Sequence, residues 1–125
     1  MADGEIAMVG EANTIRFFQQ EAIAMDEGQP LYTPWVAVPA SVQSASFVVE
    51  CGGHYSGRLE IRLQTSIDQT TTHQLALENI TGIGVNSYAL GDGIGRYVRL
   101  YLDVPASTGP TTLTVSAYLL LRTSE

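Results

Sequence analysis

Lysine is absent from these 125 residues, and all six cations are arginine: Arg16, Arg58, Arg62, Arg96, Arg99 and Arg122. Thirteen acidic residues leave a formal net charge of −7. Nucleic acid is therefore not expected as a partner, because neutralising its phosphates needs clustered cations. Lysine is also a common protector of exposed sheet edges, so a β protein without it must blunt its edges by proline, bulges, coverage or subunit contact. The single cysteine, Cys51, cannot form an internal disulfide. No stretch approaches the roughly 20 apolar residues of a membrane-spanning helix. The opening Met-Ala-Asp-Gly-Glu lacks the basic start and apolar run of a secretory signal. The expectation is synthesis in a reducing cytoplasm, with no membrane association. Charged residues make up only 15%, against about 25% in an average soluble domain, so much of the surface must be neutral.

What is present is alternation. In residues 58–68, Leu59, Ile61 and Leu63 take one face while Glu60, Arg62 and Gln64 take the other. In residues 96–104, Val98, Leu100, Leu102 and Val104 oppose Tyr97, Arg99, Tyr101 and Asp103. A period of two marks half-buried strands in sheets with one wet face. Near the C-terminus Leu113, Val115, Ala117, Leu119 and Leu121 form a further inner set. Cys51 follows Phe47 and Val49 at alternate positions and reads as a small buried hydrophobe.

Between these anchors the signals vary. Residues 1–13 are rich in glycine and acid and read as an N-terminal arm or short edge strand; residues 14–125 read as a single domain. Residues 1–27 hold six acids, including Asp3, Glu5 and Glu11, against Arg16 alone. In residues 14–25, Ile15, Phe18, Ala22 and Met25 fit a helical stripe, whereas Ile15, Phe17, Ile23 and Met25 fit a strand. We read a strand, since a turn signal follows at Asp26-Glu-Gly28 and the rest of the chain is β. Pro30, Pro34 and Pro39 confine residues 31–38 to an edge or a bulged strand. Gly52, Gly53 and Gly57 suggest a hairpin turn between a strand at 47–51 and the one at 58–66. About eight strands with turns every 8 to 12 residues predict an all-β fold, an antiparallel two-sheet sandwich or a small barrel.

No motif for chemistry accompanies this framework. His54 and His73, 19 residues apart, with one cysteine make a poor match to a zinc site. No Gly-x-Ser-x-Gly elbow occurs, and the Gly-x-Gly fragments lack the lysine of a phosphate cradle. Asp68 and Asp92 are in loops without the spacing of a calcium run. We expect no enzyme, no metal and no cofactor. Tyr97, Arg99 and Tyr101 share one wet face and could form a platform for a subunit or a sugar. Trp35, between prolines, reads as a core plug with a lesser possibility of ligand contact.

The stretch from Leu59 to Asp68, ending Ser66-Ile-Asp68, with Arg96-Tyr-Val-Arg-Leu-Tyr-Leu later, resembles the jelly-roll sandwiches of discoidin-like domains. It departs from them in having Gln69 where a glycine is expected and His73 near the usual tryptophan. In size and layout, over residues 14–122, the chain more closely resembles small tailed-phage virion proteins with jelly-roll-like folds, including capsid decoration (cement) proteins. That resemblance implies a non-enzymatic structural protein of the virion, a homo-oligomer, commonly a trimer, seated on major capsid protein subunits. Trp35, Tyr97, Arg99, Tyr101, Asp3, Glu5 and Glu11 are the candidate partner contacts. The alternative function is a carbohydrate-binding or tail/baseplate adhesion module, with Trp35, Tyr97 or Tyr101 stacking on sugar.

Overall fold

The computed structural model describes residues 7–9, 12–90, 94–105 and 109–123. Ten strands run in order: β1 (Ala7–Val9), β2 (Ala12–Met25), β3 (Leu31–Tyr32), β4 (Val36–Ala37), β5 (Val42–Ser56), β6 (Leu59–Ser66), β7 (His73–Ile80), β8 (Gly84–Leu90), β9 (Tyr97–Asp103) and β10 (Thr111–Thr123). One sheet has the order β1-β2-β10-β5-β8; the other is β3-β9-β6-β7, with β4 continuing the β3 edge along β9. All pairings are antiparallel.

The pairs β2–β10, β3/β4–β9, β5–β8 and β6–β7 describe one long ribbon. Strands β2 to β6 run out, β7 to β10 return beside them, and the ribbon folds over into two sheets. This is a jelly roll. With β3 and β4 taken as one interrupted edge strand and β1 set apart, it has the eight strands expected.

The alternating residues fill the space between the sheets. Leu59, Ile61, Leu63, Val98, Leu100 and Leu102 are fully buried, as are Leu113, Val115, Ala117 and Leu119 from the facing sheet. Phe47, Val49 and Cys51 complete the same cluster. The outward residues Glu60, Arg62, Gln64, Tyr97, Arg99, Tyr101 and Asp103 are half-buried.

Two expectations need correction. The glycines at 52 and 53 do not end a strand, and β5 and β6 are not a hairpin. Strand β5 runs through both glycines to Ser56, and β6 lies in the other sheet. Register shifts against β10, between Thr112 and Leu113 and between Thr114 and Val115, each add a residue to β5. The glycines therefore mark bulges within a bent strand. Trp35 is not a core plug: it is half-buried outside the core cluster.

The ambiguity of residues 14–25 also has a physical cause. Strand β2 carries two extra residues against β10, in the intervals Val115/Ala117 and Ala117/Tyr118. Gln20 there has φ +48° and donates its N–H to Ser116 Oγ at 2.8 Å. The irregularity sets Phe18 opposite inward Ala117, which imitates helical spacing. After two extra residues the period resumes in phase, so Ile15 and Ile23 are both buried.

The loop after β6 is locked by side chains. Ser66 Oγ accepts the N–H of Gln69 at 2.8 Å, and Asp68 Oδ1 accepts those of Thr70 and Thr71, each at 2.9 Å. These donors, Thr71 first, hold the Asp68 carboxyl below the usual carboxylate range. Its share of stability is present at neutral pH and is lost as acid takes the solution down through that lowered pKa. Gln69, where the discoidin pattern has glycine, adopts φ +66°. A non-glycine residue there costs about 1 kcal/mol, partly offset by the greater chain entropy of glycine. Gln69→Gly is expected to raise Tm by about 2 °C in a calorimetric scan; an unchanged or lower Tm would show that the turn is not strained.

Candidate functional site

The outer face of the β9 sheet gathers the chemistry-bearing side chains. Strand pairing sets Gln64 beside Arg99, Arg62 beside Tyr101 and Glu60 beside Asp103. On the other side of β9, Tyr32 lies beside Tyr101. Thr33 then completes the edge with two bonds to Leu100: its N–H donates to the carbonyl at 2.9 Å, and its Oγ1 accepts the Leu100 N–H at 2.8 Å. Pro34 breaks the edge strand before β4 resumes with Val36 opposite Val98. Trp35, in that break, lies over β9.

The result is a clamped arginine. The Arg99 guanidinium carbon lies 4.2 Å from the Tyr32 ring centroid and 4.3 Å from that of Trp35. Its Nε donates to Gln64 Oε1 at 2.9 Å. Each cation–π contact contributes about 0.5 to 2 kcal/mol, more as water is excluded. Tyr32 in turn packs on Tyr101, centroids 4.8 Å apart at 49°, and Arg62 sits 5.5 Å from the Tyr101 ring. Arg62 also donates from Nη2 to Glu60 Oε1 at 3.2 Å, while its Nε is buried with no hydrogen-bond partner among the described residues. Burial foremost, then the Asp103 charge, raises the Tyr101 pKa, so its hydroxyl remains a neutral donor.

This arrangement decides which chemistry the face offers. Tyr32, Trp35 and Tyr101 each have a ring face turned to a guanidinium. Those faces are closed to a sugar ring. Arg99 is held by two rings and, through Nε, one hydrogen bond; a planar guanidinium takes a carboxylate with two parallel bonds. Little side-chain freedom remains to be lost on binding.

No family model matches the sequence, and no curated protein matches it. Solved structures resemble the fold. A structure of tripeptidyl peptidase 2 (TPP II) aligns with 94% of this chain at TM-score 0.57 and 10% identity; the chain spans only 10% of that protein. A protein of Bacillus endospore appendages, described as a family of disulfide-linked pili, aligns with 99% of this chain and 96% of its own length, at TM-score 0.50 and 10% identity. The likeness is one of fold: all-β, with two antiparallel sheets.

Of the sequence-derived candidates, Trp35, Arg99 and Tyr101 come together. Tyr97 shares their face but lies at an open cleft of about 510 Å³ with Ile67 and Ile94. Asp3, Glu5 and Glu11 lie outside the described residues. Sequence reasoning missed Tyr32 and Gln64 as partners of Arg99, since they lie 67 and 35 residues from it in the chain and only strand pairing joins them. Gln64 had one signal, its place on an outward face; Tyr32 had only its place in a proline-bounded edge segment. Among the described residues no three His, Cys, Asp or Glu side chains cluster as a metal site would require.

Two further polar groups lie elsewhere. On the outer face of the β10 sheet, Tyr118 donates to Glu50 Oε2 at 3.0 Å, with Arg16 5.7 Å above its ring. At the flank where β7 and β8 meet, Glu78 accepts a short bond from the Tyr88 hydroxyl and one of 2.7 Å from Asn86 Nδ2. Glu78 thereby ties one sheet to the other, and burial raises its pKa.

Proposed function

We propose that this chain is a non-enzymatic structural protein of a phage virion, a capsid decoration protein that binds coat subunits and stabilises the particle. The observation that carries the reading is Arg99 held between Tyr32 and Trp35. Trp, Tyr and Arg are the residues that dominate interface energetics, and here they are pre-assembled on one half-buried sheet face. A jelly roll with a charge-poor surface suits a role in assembly, and it places this face away from the core. In this reading the coat subunit supplies a carboxylate to the Arg99 fork, and homo-oligomerisation adds copies around each site. Location in the virion follows from that attachment.

The expected result is direct. Arg99→Ala should weaken binding to purified coat shells by about 30-fold, as for an interface hot spot of about 2 kcal/mol. Arg99→Lys should recover only part of the loss, because an ammonium lacks the planar fork. Co-sedimentation with shells measures both, with circular dichroism confirming the fold. A wild-type protein that ignores coat shells sinks the reading, and so does an Arg99→Ala variant that binds as well as wild type.

A further inference from the structure

We propose that β8 is a homodimerisation edge, pairing antiparallel with β8 of a second copy about a two-fold axis at Ser87. The proposal goes beyond the function above, since it concerns copies of this chain and holds whether or not a capsid is the partner.

The two flanks of the sandwich are treated differently. On one, the β3/β4 edge is interrupted by Pro34, which splits it into two strands of two residues each. On the other, β7 and β8 are the last strands of their sheets. Strand β8 pairs with β5 without a register shift, from Cys51 opposite Gly84 to Ala45 opposite Leu90. Among the described residues no strand pairs with its other side, so one row of N–H and C=O groups is left open. Natural edges of this kind are blunted by charge, proline or a bulge. Gly84-Val-Asn-Ser-Tyr-Ala-Leu90 has none of the three.

The segment is also self-complementary. Pairing with Cys51, Val49, Phe47 and Ala45 turns Gly84, Asn86, Tyr88 and Leu90 inward, while Val85, Ser87 and Ala89 are exposed on the outer face. Antiparallel pairing about Ser87 sets Val85 against Ala89 of the second copy and Ser87 against Ser87. No charge meets a like charge, although each chain carries −7 overall. Among the described residues, Glu50 opposite Val85 and Glu78 on the facing sheet are already engaged, Glu50 by Tyr118 and Glu78 by Tyr88 and Asn86. The exposed Ile83 (74%) and Val85 (65%) add apolar area at each end of the seam. The product is a ten-stranded sheet across an isologous interface, so its unit is a dimer rather than the trimer that the virion resemblance implies. Seven residues span about 23 Å of edge, a small contact, so the dimer should form at tens of micromolar and dissociate on dilution, roughly −6 to −7 kcal/mol.

Sedimentation velocity of the purified chain between about 10 μM and about 1 mM tests this. The expected result is a reversible monomer–dimer equilibrium. Ser87→Lys, which places two ammonium groups opposite each other, should weaken it at least 10-fold without changing the circular dichroism spectrum. Ser87→Cys should yield a disulfide-linked dimer under mild oxidation, since residue 87 is its own partner, whereas Ala89→Cys, equally outward but facing Val85, should cross-link much more slowly. A monomer at the highest concentration overturns the proposal, as does an undiminished dimer in Ser87→Lys, equal cross-linking by the two cysteine variants, or open-ended association in place of a dimer. None of these outcomes depends on coat shells, so failure here is separable from failure of the virion reading.

Discussion

Gly57→Ala is expected to lower unfolding stability by about 3 kcal/mol or more, the sum of a strained backbone and a steric clash. Gly57 is the point where the chain leaves β5 in one sheet for β6 in the other. Its φ is +78°, and a Cβ there would lie 2.1 Å from Thr111 Oγ1, 2.7 Å from Thr111 Cα and 2.8 Å from the Pro110 carbonyl oxygen. Two of those atoms are backbone and cannot swing aside. Thr111 is fully buried and closes the corner: its Oγ1 accepts the Arg58 N–H and donates to the Arg58 carbonyl, both at 3.1 Å. Ser56 Oγ donates to the Pro110 carbonyl at 3.2 Å, and His54 Nε2 lies 2.7 Å from the Gly57 carbonyl oxygen. Displacing Thr111 would also break its two hydrogen bonds to the Arg58 backbone. Gly28→Ala is the internal control, with φ +80° and nothing within 4 Å of the added Cβ; it should lose only about 1 kcal/mol. Urea unfolding followed by circular dichroism compares them. Equal losses would mean that the corner yields and the clash is not real.

Phe47→Ala should lose about 3 to 5 kcal/mol, the range for removing a fully buried aromatic side chain. Phe47 has no exposed surface and lies on β5, which is hydrogen-bonded on both sides, with Leu119 of β10 and Tyr88 of β8 as its opposite numbers. Strands held on both sides cannot close over the vacated volume, so most of the cavity persists. The ring also stacks on Tyr88, centroids 6.3 Å apart at 25°. Its loss therefore loosens the tyrosine that bonds Glu78 and joins the sheets at the β7/β8 flank. Phe47→Leu, which keeps most of the volume, should lose no more than about 1.5 kcal/mol. Against a total of about 5 to 15 kcal/mol for a domain of this kind, the alanine variant should be partly unfolded at 37 °C. A shift in the urea midpoint equivalent to less than about 1 kcal/mol would show that the interior repacks around the gap.

The strands legible in the sequence are those with one wet face. In β6, β9 and β10 every second side chain enters the core, so period alone locates both strand and orientation. Strand β2 was legible as a strand but not in detail, because its two extra residues turn Phe18 inward and blur the period. The glycines of β5 were misread as a hairpin turn because glycine carries the same signal at a turn and at a bulge. Trp35 was misjudged for a related reason: large apolar side chains usually enter the core, and nothing local records that Arg99 stands ready to stack on it. Tyr97, Arg99 and Tyr101 were correctly assigned to one wet face, yet only Arg99 and Tyr101 belong to the cluster.

By itself, the sequence determined that this chain is all-β and which side chains face inward along its regular strands. Those properties depend on residue type and on spacing within a few positions. The tertiary structure decided which strands share a sheet, where the chain crosses at Gly57, and that β8 is the last strand of its sheet. It also decided that Tyr32, Trp35 and Gln64 should meet at Arg99. Such pairings join residues 35 to 67 positions apart in the chain. They follow from how the ribbon folds over to bury both inner faces at once, a global condition that no local window of sequence contains.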